Sequence, residues 1–412
     1  MEANGAVGVR NSKRKAARTK NISFSEIGSV SKTRRWYEFF AGGGMARLGL
    51  GSGWQCTFAN DICPKKASAY RAFFGDCPEL RVEDVAKLRT RDLPGVADLV
   101  WASFPCQDLS LAGNGAGLSG ERSGTFKPFW KLISGLVVEG RAPRIVVLEN
   151  VGGALTSHSG RDFTAIIRAL TDAGYRVGAL MINAVYFVPQ SRPRLFIIGS
   201  HEETIIPDQL VSSKPSQPWH TKALIKAYSN LPPSLAKTWI WWSVPTPTKP
   251  VQRLSELIDK MPIGIQWHSD KATSRLLRLM SAAHRRQVAD ALNKVGRQVG
   301  TIYKRTRPRT DGIMAQRAEV RFDGISGCLR TPVGGSSRQT IIVTANGRVR
   351  TRLLSPREAA RLMGVPESYP LPAAYNDAYH VFGDGLVVPV ISWLNQHLLS
   401  PLAASRTLER VA

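Results

Sequence analysis

Cys106 stands in the stretch WASFPCQDLS, just past an apolar run from Ala97 to Ala102 that predicts a short buried strand; Ser103, Phe104 and Pro105 end that run abruptly. A thiol on a loop beyond a strand's carboxyl end lies where open α/β sheets place their chemistry. It is a nucleophile only as the thiolate, and at an unperturbed pKa of about 8.5 only a few per cent is ionised at neutral pH, so a cation or helix amino terminus must help. Read alone, Cys106 fits a buried structural thiol better. A second candidate is RIVVLENV, an apolar strand ending in Glu149 and Asn150. A carboxylate and an amide at a buried strand end are costly to desolvate without partners, which favours a functional acid over a structural one. In VPQSRPRLFIIG, Arg192 and Arg194 alternate just before a strand and so point the same way. Their planar guanidinium groups suit a carbonyl or a phosphate, the alternative being an exposed basic edge. Finally, Phe40, Ala41, Gly42, Gly43 and Gly44 end the first predicted strand, and Asp61 follows about twenty residues on, where an acid typically accepts ribose hydroxyls. The spacing departs from G-x-G-x-x-G, which disfavours a phosphate-bearing dinucleotide.

FPCQDLS followed by AGNGAGLSGERSG resembles the catalytic loop of the cytosine-5 DNA methyltransferases, and the other motifs follow in that family's order from Phe40 to about Val390. The resemblance implies that Cys106 attacks the base, that Glu149 holds the cytosine ring nitrogen and amino group, and that Arg192 and Arg194, in the Gln-x-Arg-x-Arg pattern begun by Gln190, flank base and thiolate. It implies S-adenosylmethionine as cofactor, a ribose compound without phosphate, held by the FAGGG loop, Asp61, Ile62, Asp84 and Pro105. Asp84 alone would equally be a helix cap. Asp384 in FGDG is a departure, since the family more often has asparagine there, and its cofactor and hinge role is in doubt. Double-stranded DNA is the implied partner, with Gln107, Ser110 and Gln190 facing it. Family habit adds a cognate restriction endonuclease as genetic partner and a monomeric enzyme of prokaryotic or phage type. The glycine-rich AGNGAGLSG resembles a mobile closing loop.

The elements that must position these groups are legible as strands WYEFFA, WQCTFAN, ADLVWAS, RIVVLENV, RVGALMINA and RLFIIGS, with helical patterns PKKASAYRAFFG and RDFTAIIRALTDAG between them. This alternation predicts an α/β fold: a mostly parallel, Rossmann-like methyltransferase sheet plus a second, smaller target-recognition domain. The expected divisions are a basic flexible tail over 1–32, a catalytic domain over 33–200, a recognition domain over 201–355, a hinge over 356–380 and a C-terminal helix over 381–412 that returns to the catalytic domain.

The chain has 412 residues, 43% hydrophobic and 21% charged, enough for two domains and a large core. Its formal net charge of +25 points to a polyanionic partner, most often nucleic acid. No run approaches the roughly 18 apolar residues of a spanning helix, and the first thirty residues lack a signal peptide's apolar centre, so a cytoplasmic location without membrane contact is expected. Five cysteines without Cys-x-x-Cys spacing and seven scattered histidines predict neither a disulfide framework nor a metal site.

In the recognition region, Arg305, Arg307, Arg309, Arg317, Arg321, Arg330 and Arg338 crowd the second half, whereas Trp239, Trp241 and Trp242 read as core. CLRTPVGGSSRQTIIV is the expected base-reading hairpin, offering Thr331, Ser336, Ser337, Arg338 and Gln339; an ordinary polar hairpin is the alternative. Two rival functions remain open: a tRNA cytosine-5 methyltransferase of the same fold, and a catalytically silent DNA-binding module. The Asp/Ser/Asn-Pro-Pro-Tyr/Phe loop of exocyclic-amino methyltransferases does not occur.

Overall fold

A computed structural model describes residues 33–105, 125–248, 251–308, 312–331 and 338–405. Among them, strands β1 (Arg34–Phe39), β2 (Trp54–Asp61), β3 (Leu80–Val82), β4 (Leu99–Ala102), β5 (Ile145–Asn150), β6 (Tyr175–Asn183), β7 (Pro193–His201), β8 (Val211–Ser212) and β9 (Trp239–Trp242) form one sheet in the order β3-β2-β1-β4-β5-β7-β6-β9-β8. The first five are mutually parallel, and β7 lies antiparallel between β5 and β6. The link from Asn183 to Pro193 is too short for a crossover helix, so β7 returns beside β6 as a hairpin partner.

Burial on both faces explains why these strands are nearly continuous apolar runs. In β4, Leu99 and Trp101 enter one core with the helices Met45–Leu50 and Val388–Leu394, while Val100 and Ala102 enter the other with Phe126–Val138 and Arg161–Asp172. The expected rhythm of strands holds to Ser200, yet the sheet continues past that boundary to Trp242. The strand β9 is WIWW, with Trp241 and Trp242 buried and Trp239 packed on Trp241 and Phe163, so these tryptophans are core, as expected.

A second, antiparallel sheet has the order β11-β10-β12-β13, from β10 (Gln298–Pro308), β11 (Met314–Arg321), β12 (Thr340–Ala345) and β13 (Arg348–Leu353). Strand β12 pairs only with Gln298–Ile302 of β10, whereas β11 pairs along Thr301–Pro308, so the outer part of β10 and β11 stands as a two-stranded ribbon.

The helical stretch Tyr375–Ala404 is long and apolar enough to cross a membrane by length and composition alone, but just over half of its apolar window is buried inside the protein. Leu394, Leu398, Leu399 and Leu402 pack into the large core, which accounts for its apolarity. The FGDG stretch is largely helical: Phe382 to Asp384 end the helix Tyr375–Asp384, and neither glycine adopts positive φ. Glycine is required there by close approach, because a Cβ on Gly383 would meet the Thr331 backbone nitrogen at 3.0 Å and one on Gly385 the Val381 carbonyl at 2.8 Å.

Candidate active site

Strands β1, β4 and β5 are adjacent, and their carboxyl ends bring the glycine loop, the start of the cysteine loop and Glu149 together. The chain leaves β4 with the Ser103 amide donating to the Phe39 carbonyl at 3.4 Å. Asn150 Nδ2 donates to the Phe104 carbonyl at 3.3 Å, tying the end of β5 to the segment that leads to the thiol. Pro105 is the last described residue of that segment; Cys106, Gln107 and Ser110 lie outside the described residues, as do Ser336 and Ser337.

Glu149 is buried, with Oε1 3.2 Å from Arg194 Nε. Burial pushes its carboxyl above the usual range, against the pull of Arg194 and Arg192 and a hydrogen bond with Ser103. A carboxyl poised this way can hold a proton toward a bound heterocycle or share one with it. The two arginines have different duties. Arg192 Nη1 donates to the Leu329 carbonyl at 2.9 Å and Nη2 to the carbonyls of Gly383 and Gly385 at 3.0 and 2.7 Å, so its guanidinium is engaged by backbone and knits three segments together. Arg194 is the one that reaches Glu149.

Sequence reasoning missed Cys328. Its Sγ lies 3.4 Å from Arg192 Nη1 and 3.8 Å from Arg194 Nη2, and although burial alone would raise the thiol, the two guanidinium groups bring it down to about 7. Only the three-dimensional approach of β7 to the Gly327–Leu329 segment reveals it. Also missed was Glu38, buried in β1 below the glycine loop, where burial pushes its carboxyl up to about 8 while the Tyr70 hydroxyl lies 3.3 Å away.

The glycine loop offers a cradle. Phe40 and Gly42 have φ of 58° and 57°, and a Cβ on Gly42 would meet nothing within 4 Å, whereas one on Gly43 would strike Val381 and the Tyr369 hydroxyl. Asp61 Oδ2 accepts from the Gly42 amide at 2.8 Å and Oδ1 from the Cys63 amide at 2.7 Å, fixing the acid against the loop. Ile62 beside it is 65% exposed, an apolar surface available to a flat ring. Asp84 Oδ1 caps the turn Val85–Lys87 through the Ala86 amide at 2.9 Å, so the capping alternative describes at least one of its oxygens. Asp384 is paired with Lys66 at 2.7 Å. Open backbone at Gly42, a fixed acid and an apolar neighbour suit S-adenosylmethionine, with its ribose, its adenine ring and no phosphate.

Two expected DNA contacts, Gln190 and Gln339, are buried and not available as such. Gln190 is fully buried, its Nε2 donating to the Leu362 carbonyl at 2.8 Å and its Oε1 accepting from the Leu329 amide at 3.1 Å. Gln339 is also fully buried and donates to the Ile302 carbonyl at 3.2 Å, because it faces inward between β10 and the helix Tyr375–Asp384. Arg338 is half-buried, bonded to Asn376 and lying over the Tyr375 ring at 5.5 Å. Thr331 packs against Gly383.

The sheet order, the antiparallel β7 and a cofactor cradle at the first strand's end define an S-adenosylmethionine-dependent methyltransferase fold. The S. pombe Dnmt2 methyltransferase shares that fold at a TM-score of 0.53 and 16% identity, covering 90% of this chain and 99% of that one. A putative DNA modification methyltransferase encoded within an E. coli prophage does so at a TM-score of 0.52 and 17% identity, covering 90% and 99%. The chain belongs to the C-5 cytosine-specific DNA methylase family, whose pattern matches residues 35–400. It is 26% identical over 393 residues to the Type II methyltransferase M1.ScrFI of Lactococcus lactis subsp. cremoris, covering 93% of this chain and 84% of that protein. To the Type II methyltransferase M.HhaI of Haemophilus parahaemolyticus it is 25% identical over 371 residues, covering 89% and 95%. It is therefore an enzyme that methylates carbon 5 of cytosine in DNA with S-adenosylmethionine as donor.

Proposed function

We propose that methylation proceeds through a covalent adduct of Cys106 with a cytosine flipped out of duplex DNA, held by Glu149 and Arg194, within one specific sequence. The buried Glu149–Arg194 pair, at the end of the strand next to the one that leads into Cys106, carries this reading. The Cys106 thiolate adds to carbon 6 and its electron pair becomes the C–S bond, leaving carbon 5 enamine-like; Glu149 supports that charge by holding a proton at ring nitrogen 3. Carbon 5 would take the methyl from the bound sulfonium, whose carbon–sulfur bond breaks with its electron pair left on sulfur as a neutral thioether. Loss of the carbon-5 proton to a base then expels the thiolate and restores the ring. Flipping costs a few kcal/mol, repaid by pocket contacts. Arg192 serves as a positioning residue, because both its terminal nitrogens donate to backbone carbonyls.

For recognition, the ribbon of β10 and β11 is the better reader than the expected hairpin, since a two-stranded ribbon fits the major groove. One face carries Arg305, Arg307 and Arg317, with Glu319 pairing both of the first two. The other carries Lys304 and Gln316, which border a cleft of about 530 Å3 also lined by His268, Arg275 and Arg338 and, among the described residues, by no carboxylate. We place the enzyme in the cytoplasm as a monomer, with a restriction endonuclease as genetic partner, on the strength of the Type II relatives. Replacing Cys106 by alanine should abolish methyl transfer while S-adenosylmethionine and DNA still bind; single-turnover transfer above about one part in a thousand of wild type would remove Cys106 from this role.

A further inference from the structure

Lys66 belongs to no motif, yet its ammonium lies 2.7 Å from Asp384, the acid that stands where the family more often has asparagine. The pair is set between two parts of the site. On one side Lys66 also feels the charge of Asp61, which is fixed to the Gly42 and Cys63 amides of the cofactor cradle. On the other, Asp384 ends the helix whose Gly383 and Gly385 carbonyls hold Arg192 at 3.0 and 2.7 Å, and Arg192 feels the Asp384 charge in turn. Gly385 rests directly on the side chain of Met45, the residue that follows the glycine loop.

We propose that Lys66 is a positioning residue which, by pairing with Asp384 from the helix that follows the cofactor cradle, couples that cradle to the helix end that holds Arg192, and that it is the compensation that lets this chain carry aspartate at position 384. The inference rests on the placement of S-adenosylmethionine in that cradle.

Lys65, one residue away, supplies an internal control. It pairs with Asp377 at 2.9 Å between the same two helices, Pro64–Phe74 and Tyr375–Asp384, but its side chain is 72% exposed against 22% for Lys66. If such pairs only dock one helix on the other, the two lysines should be equivalent.

The test compares K66M, D384N, the double variant K66M/D384N and K65M by calorimetric titration with S-adenosylmethionine in the absence of DNA, by single-turnover methyl transfer at saturating cofactor, and by melting temperature. K66M should weaken cofactor binding about two- to fivefold and also slow the saturated step, because an acid at 384 is left unpaired beside the cradle. K65M should change neither, since an exposed pair contributes little. The double variant should bind more tightly than K66M alone, a non-additivity that marks a direct interaction. Equal effects of K66M and K65M, or additive losses in the double variant, would overturn the proposal. A wild-type protein that shows no binding in the calorimeter would defeat the placement of the cofactor instead.

Discussion

Glu149 sits between two opposing forces, since burial favours its neutral form and Arg194 and Arg192 favour its charged one, and burial prevails. A carboxyl raised in this way keeps its proton to a higher pH in the folded protein than in the unfolded chain, which ionises near pH 4.3. Its contribution to stability is therefore fully present below that pH and is lost as pH rises toward the folded value. Glutamine does not titrate, so the melting temperature of Glu149→Gln relative to wild type should rise as pH increases from about 4.3; a gap that stays flat or narrows would show that the carboxyl is not raised. The same variant should slow methyl transfer by at least about a hundredfold while DNA affinity in a gel shift stays within about threefold, because an amide cannot hold a shared proton at the ring nitrogen. Equal losses would make Glu149 structural. The acid was legible in sequence because a carboxylate ending an apolar run is conspicuous. Cys328 was not, since its character comes from two arginines well over a hundred residues away in the chain.

Between the two sheets, one element shows how a local signal and a distant partner combine. Ser355 and Glu358 form a capping box on the helix Pro356–Leu362, with the Glu358 amide donating to Ser355 Oγ at 3.2 Å, and this much follows from LSPRE in the sequence. The sequence does not announce that Glu358 is fully buried and receives Arg352 through both oxygens at 2.7 and 2.6 Å, with the Asp259 amide adding a third donor at 2.9 Å. Glu358→Ala should cost about 3–5 kcal/mol in denaturant unfolding because it strands a buried guanidinium, whereas replacing both partners by apolar residues of similar volume should recover most of that. A loss below about 1 kcal/mol would show that Arg352 finds water instead. The same division runs through the fold: β1, β2, β4, β5, β6 and β7 were legible because burial on both faces leaves unbroken apolar runs. The three-residue β3 and two-residue β8 are too short for periodicity to register, and WIWW reads equally as strand or as buried cluster. Gln190 and Gln339 were misjudged because polarity was taken for exposure, although each satisfies buried backbone groups.

At the scale of the whole molecule, the described residues from Arg34 onward belong to one compact unit, and the large core takes in Val299, Ile341 and Val343 of the smaller sheet. An exchange of recognition segments cut near residue 201 would therefore remove β8 and β9 from the large sheet and Trp219 from its packing on Trp393 at 4.9 Å. The ribbon offers a cleaner cut. Ile302, Ala318 and Val320 anchor it in a small core with the helices Asp270–Arg278 and Ala282–Leu292, while Lys304 to Pro308 are exposed. Grafting residues 304–317 from a family member of different specificity should leave stability within about 0.5 kcal/mol, as expected of surface substitutions. If the ribbon reads base edges, the methylated sequence should change toward that of the donor, because phosphate contacts made elsewhere fix register without carrying sequence information. Within the native ribbon, substituting Lys304 by alanine should distinguish the two kinds of contact. A base reader would cost about 1–3 kcal/mol and relax one base pair, whereas a phosphate contact would weaken all sequences alike and reduce the salt slope by about one. Bisulfite sequencing of DNA from a methylation-free host expressing the graft reads the outcome directly, and an active graft that keeps the original site would assign recognition to elements other than the ribbon.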